Sequence, residues 1–299
     1  MFKFFLCKFP CIVSAVAVLS SVFTPAAFAA IVYAGPTDTL HAIDPAIAAQ
    51  DSRFVEWADY IDPTRTAFAV RGSTSINQSG GFNSLGDLTA EEIGTGVMPG
   101  YSTVSFPTGI GNGSGADFAV FENGFSFGPA GRGLFAEYAY VDVSSNGSDF
   151  ARFPSISLNA GPLSGSGSFA SFDSTGIYNL AGKHAAGYGT PFDLLELSND
   201  PLVAGGLLDL NNVQYVRLFD IPGNGAFQDS LGNPIYDNWL TTRSGGFDFR
   251  LGVGLGVGVI NVASVPEPSA WVLLGLSLAV FATFRRRSRL ECLSLEQGA

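Results

Sequence analysis

Between residues 31 and 264 the chain contains no cysteine; Cys7, Cys11 and Cys292 all lie near its ends. That excludes a disulfide framework, a thiolate metal site and a cysteine nucleophile from this stretch. Histidine is almost as scarce. His41 and His184 are the two in 299 residues, and no His-Glu-x-x-His zinc motif is formed. Despite 37 glycines, there is no P-loop or Gly-x-Gly-x-x-Gly dinucleotide signature. Basic charge is also short: residues 31–264 hold 23 acidic residues against nine lysines and arginines. Such a surface excludes nucleic acid as a partner and suits divalent cations.

What is present is apolar and turn-rich. Phe (26) and Gly (37) are abundant, and 14% of residues are charged. This is enough apolar material for a core, in a composition that favours strands and turns over helices. A domain of this size needs no covalent staples.

The remaining basic residues mark the two ends. Lys3 and Lys8 precede an apolar run, Cys11 to Phe23, that is short for a membrane span. Ala27-Phe28-Ala29 follows as a small-x-small cleavage pattern, so residues 1–30 read as a signal peptide, in helical form, cut after Ala29 or Ala30 by signal peptidase. At the other end come Val265-Pro266-Glu267-Pro268, the apolar run Ala270 to Phe284, and Arg285-Arg286-Arg287-Ser288-Arg289. This order predicts a C-terminal transmembrane helix with its arginines inside and residues 290–299 as a cytoplasmic tail. The tripartite segment 265–289 resembles the PEP-CTERM sorting signal. The resemblance implies an exosortase-type processing enzyme, and export to the envelope of a Gram-negative, exopolysaccharide-making bacterium. Such signals usually stop at the arginines, whereas this chain runs on through Leu290 to Ala299.

Residues 31–264 form the expected ectodomain. Phe54 to Ile61 reads as a short helical turn, and Ser73–Gly81 and Gly94–Gly100 as loops. Strands are predicted at Ser102–Phe106 and at Asp117–Glu122, the latter buried on both faces. Glu137–Val143 alternates, with Ala139, Val141 and Val143 opposing Tyr138, Tyr140 and Asp142. Asn146-Gly147 turns the chain into a partner strand, Phe150–Leu158. Val213–Asp220 alternates again, and Phe247 to Val262 closes the domain as one Gly/Val-rich strand. The expectation is an all-β fold: an antiparallel β-sandwich, of jelly-roll type. The segment Val141 to Phe150 resembles a hairpin of galactose-binding-like jelly rolls.

Across 101–262 the chain resembles a group of PEP-CTERM-bearing bacterial cell surface proteins of unassigned biochemistry. The shared blocks include Gly115 to Gly124, Ala136-Glu137, Tyr178 to Lys183, Gly187 to Asp193, Leu208 to Asn212, Gly232 to Asp237 and Gly245 to Asp248. Similar proteins carry a second acid two residues after Asp248, where this chain has Arg250.

Oxygen ligands make calcium the expected ion, with Asp117, Glu122, Asn123 and Asp248 as candidate ligands. Asp142-x-Ser144-x-Asn146-Gly147 is superficially EF-hand-like, but Phe153 stands where the closing Glu belongs, and a hairpin explains it better. Lys183, His184 and Tyr188, on a Gly-rich connection, are candidate ligand contacts. Asp229, Asp237 and Trp239 form a second, lesser group. The leading expectation is a non-catalytic surface or extracellular-matrix protein associated with exopolysaccharide. The alternatives are a calcium-dependent carbohydrate-binding module and a carbohydrate-active enzyme working through paired carboxylates.

Overall fold

The computed structural model describes residues 33–127, 133–135, 137–159, 172–185, 187–241, 245–264 and 280–281. The expected signal peptide, the Val265-Pro266-Glu267-Pro268 segment, the arginines and the tail 290–299 lie outside these residues, as does the apolar run apart from its residues 280–281. Among the described residues no helix is long and apolar enough to cross a membrane.

The described residues are mostly β, in antiparallel sheets. Five strands form one sheet in the order Ile47–Ala48, Tyr188–Phe192, Phe118–Phe121, Gly256–Val259 and Glu56–Trp57. Phe118–Phe121 is central and wholly buried, as a continuous apolar run requires. Four strands form the other main sheet: Tyr101–Ile110, Val213–Asp220, Ala139–Ser144 and Ala151–Arg152. In its middle, Val216 lies opposite Val104 on one side and Val143 on the other.

One apolar cluster draws on both sheets. Phe118, Val120, Phe192, Val257 and Val259 come from the first, and Val104, Phe106, Val141, Val143, Val216 and Leu218 from the second. The alternation of Glu137–Val143 sends its other residues elsewhere. Tyr138 and Tyr140 join Ile177, Leu180, Ile221 and Ile235 in a separate core. That strand is therefore buried on both faces, although its sequence alternates.

Three expectations are corrected. Phe54 to Ile61 is not helical; it holds the edge strand Glu56–Trp57, and Phe54 and Trp57 pack on Phe121 with ring centroids at 5.6 and 5.2 Å. Phe150–Leu158 is two short strands, because Ile156–Ser157 leaves the hairpin to pair with Ile177–Tyr178. Phe247–Val262 is likewise divided. Asp248–Phe249 pairs with Asn83–Ser84, whereas Gly256–Val259 joins the five-stranded sheet. Positive φ at Gly252, Gly254 and Gly256 makes the turn between them. Two short α-helices among the described residues were unforeseen: Ala90–Gly94, closed by a capping box of Thr89 and Glu92, and Pro201–Ala204, capped by Asp200.

Candidate functional site

The strand ends converge on acids. Glu122 and Asn123 follow the central strand Phe118–Phe121, and Glu137 precedes Ala139–Ser144. Asp220 ends its strand, Asp237 follows Pro234–Tyr236, Asp248 opens its strand, and Asp87 lies just past Asn83–Ser84. All six carboxyl side chains belong to residues no more than 4% exposed.

They share one electrostatic neighbourhood. Burial, reinforced by the charge of Asp248, pushes the Glu122 carboxyl well above the usual range. Burial does the same to Glu137, with Asp248, Glu122 and Asp237 adding to it. Asp220 is raised by burial and then by Asp87 and Asp248. Asp237 is raised by burial, with Asp220, Asp87 and Glu122 adding to it. Asp87 is raised more moderately, since Thr241 and Leu88 donate to it. The physical cause is common to all: a desolvated carboxylate beside others resists ionisation.

Backbone amides satisfy one oxygen each of Glu122, Asp237 and Asp220. The Gly124 amide donates to Glu122 Oε2 at 2.6 Å, the Tyr138 amide to Asp237 Oδ2 at 2.7 Å, and the Phe247 amide to Asp220 Oδ1 at 2.7 Å. Asn123 Nδ2 donates to Asp248 Oδ2 at 3.1 Å. The other oxygens of Glu122, Glu137 and Asp220 are buried without a hydrogen-bond partner, as are both amide atoms of Asn238. Buried polar atoms left this way are costly and call for a proton or a cation. As the side chains stand, no three Asp, Glu, His or Cys groups among the described residues are arranged to hold one metal ion. Ligation would need them to turn inward together.

Of the four residues expected to bind calcium, Glu122, Asn123 and Asp248 meet here. Asp117 does not. Its carboxylate accepts from the Gly113 amide at 2.6 Å, the Leu194 amide at 2.8 Å and Asn261 Nδ2 at 2.9 Å, so it ties three segments together. Asp117→Ala is expected to cost about 2–4 kcal/mol by orphaning two backbone amides, read from urea unfolding; Asp117→Asn should cost less. Arg250, at the position of the missing second acid, lays its guanidinium over the Phe82 ring at 3.6 Å. Asp142 of the EF-hand-like run is held by Arg152 and Arg217 at 2.7 and 2.8 Å, and Ala139–Ser144 pairs antiparallel with Ala151–Arg152 across the turn, which is a hairpin.

The expected ligand contacts are also corrected. Lys183 and His184 are fully buried and present nothing to a ligand. Lys183 Nζ donates to Asp44 Oδ2, and the His184 ring lies 3.0 Å from the Gly35 carbonyl and 3.2 Å from the Asp44 carbonyl. Burial, with Lys183 adding to it, pushes His184 down to about 3, so it is neutral. Tyr188 is half-buried opposite Ala48. Of the lesser group, Asp229 accepts from the amides of Ser157, Leu231 and Asn233, and Trp239 Nε1 donates to the Leu88 carbonyl. Only Asp237 belongs to the acidic centre.

Sequence reasoning missed Asp87 and Asp220 and did not assign Glu137 a role. The available signal was an acid at the end of a strongly apolar strand, as in Leu218-Phe219-Asp220. The short segment Leu180–Ala185 runs beside the centre. A Cβ at Gly182, where φ is +88°, would collide with the Glu137 carbonyl oxygen, and one at Gly124 would lie 3.6 Å from Ala185 Cβ.

The fold defines a mostly β domain that gathers a cluster of buried carboxyls, and a sorting signal follows it in the sequence. Residues 264–287 match the PEP-CTERM protein-sorting motif, so the chain carries a PEP-CTERM sorting domain, a signal that implies an exported surface protein and processing by an exosortase. No curated protein and no solved structure matches the chain.

Proposed function

We propose that the chain is a non-catalytic component of the surface or extracellular matrix of a Gram-negative bacterium, associated with exopolysaccharide and dependent on calcium for its full stability. The observation that carries the calcium reading is the set of partnerless buried oxygens on Glu122, Glu137 and Asp220. Hard oxygen donors of this kind suit calcium above softer metals. The core shared by two antiparallel sheets supports a β-sandwich, for which a galactose-binding-like jelly roll is the proposed order. Residues 265–284 serve as a membrane helix until the tail is processed.

Deletion of residues 265–299 tests the address. The truncated protein is expected to escape retention at the envelope and to show no change in mass from tail processing, as read by fractionation and mass spectrometry. Unchanged location and processing would refute the sorting role. A second reading, a calcium-dependent carbohydrate-binding module, is favoured by a cleft away from the acidic cluster.

A further inference from the structure

A cleft of about 510 Å³ opens between the segment Thr39–Arg53, the Gly115-Ala116 turn, Tyr178-Asn179 and the stretch from Pro191 to Glu196. Its volume falls within the roughly 300–1,000 Å³ typical of small-molecule sites. Part of its wall is apolar, from Pro45, Ala46, Ile47 and Pro191. The rest is polar and already ordered. Glu196 is held by two donors, the Tyr178 hydroxyl at 2.7 Å and Asn179 Nδ2 at 2.5 Å. The Tyr178 ring is itself fixed against Tyr33, with centroids 5.2 Å apart.

Two further observations separate this cleft from a chance collection of acids. Asp44 lines it with a side chain 1% exposed, bonded to Lys183 through one oxygen and without a hydrogen-bond partner at the other. Among the described residues, the two non-glycine residues with positive φ are Asp44 (58°) and Asn179 (56°), and both line the cleft. Backbone held in this sparsely populated region tends to collect at ligand sites.

The charge of the wall narrows the ligand. Asp44, Asp51, Asp193 and Glu196 face the space with Arg53 as the cation lining it, and Arg53 is paired to Asp51 at 2.7 Å. Such a wall repels uronates and sulfated sugars. It offers fixed acceptors to hydroxyl or ammonium donors beside an aromatic ring, the combination that grips a sugar. We propose that this cleft binds a saccharide unit bearing no acidic group, with Glu196 and Tyr178 as its polar contacts and Asp44 bracing the wall behind them. The proposal rests on the reading of the chain as polysaccharide-associated and assigns that association a site.

The test is a glycan array on the purified full-length chain, followed by calorimetry with neutral tetrasaccharides, glucosamine oligomers and oligogalacturonate. A neutral or amino-sugar oligomer is expected to bind and the acidic one not to. Ala42 is exposed on the cleft wall, so Ala42→Trp fills the space without touching the core. Ala42→Trp and Glu196→Gln are each expected to weaken binding at least tenfold, with the melting temperature of Ala42→Trp unchanged. The site is overturned by sugar binding that survives Ala42→Trp, by preference for the acidic oligomer, or by no binding to a folded chain. Retention of the chain by matrix polysaccharide that Ala42→Trp leaves intact would sink the cleft while sparing the surface reading.

Discussion

Calcium at about 100 times its dissociation constant is expected to raise the melting temperature of the purified chain at pH 8 by about 5–10 °C over the same protein in chelator. The magnitude follows from about 2.7 kcal/mol of binding linkage and about 2–4 °C per kcal/mol for a domain of this size. Its pH dependence is the sharper signature. Without metal, Glu122, Glu137, Asp220 and Asp237 have folded pKa values raised well above their ordinary ones. The folded state therefore holds protons that the unfolded state releases. The stabilisation this gives is complete below the ordinary carboxylate pKa and is lost as pH rises through the raised values. Asp44, raised to about 6 by burial, acts in the same direction. His184 opposes it below its unfolded value, being held neutral down to about 3, as one group against several. The chelated chain is thus expected to melt lower at pH 8 than at pH 6. Calcium, which competes with protons for the same oxygens, should then give its largest gain at pH 8. Equal melting temperatures with calcium and with chelator at pH 8 would remove calcium from this protein's account.

Lys183→Met is expected to be the most damaging single substitution outside the apolar core, at about 3–5 kcal/mol. Lys183 and Asp44 are both buried, with side chains 0% and 1% exposed, and they bond directly. Burial lowers the lysine pKa and raises that of Asp44, and their mutual attraction opposes both shifts without cancelling them. Removing the ammonium leaves a desolvated carboxylate whose remaining cationic neighbours are weak. The loss should be smaller near pH 5, where Asp44 takes a proton, than at pH 8. Adding Asp44→Asn to Lys183→Met should recover a large part of it, since a neutral amide carries no charge to strand. Urea midpoints of the four proteins form the cycle. If Lys183→Met alone unfolded no more easily than wild type, the pair would not be the buried contact described.

How much of this could be read from the sequence depended on length and pattern. Phe118–Phe121 and Val213–Asp220 were legible because four or more residues carried one unbroken signal. Glu56–Trp57 was not, because two residues have no period and their pairing with Gly258 and Val259 is set from 200 residues away. The same limit governed the sites. Glu122, Asn123 and Asp248 stood out within motif-like blocks, whereas Asp220 looked like the polar end of a strand and Asp87 like a loop acid. Asp117 stood in the same block as Glu122, yet local amides had already claimed its oxygens. Lys183 and His184 suggested a contact surface because polar residues on glycine-rich segments are usually exposed. Here the segment folds inward, and the residue they support, Asp44, lay in the stretch with the weakest pattern.

That inward segment has a thermodynamic consequence. Along Leu180–Ala185, Lys183 and His184 brace Asp44 on the cleft wall, while Gly182 and Ala185 press against the backbone beside Glu137 and Glu122. An ion at the carboxyls and a sugar in the cleft would therefore each bear on the same six residues. Linked equilibria are reciprocal: any factor by which calcium alters the grip on a glycan is the factor by which the glycan alters the grip on calcium. A surface protein wired this way would tighten or loosen its hold on the matrix as the calcium of its surroundings changes.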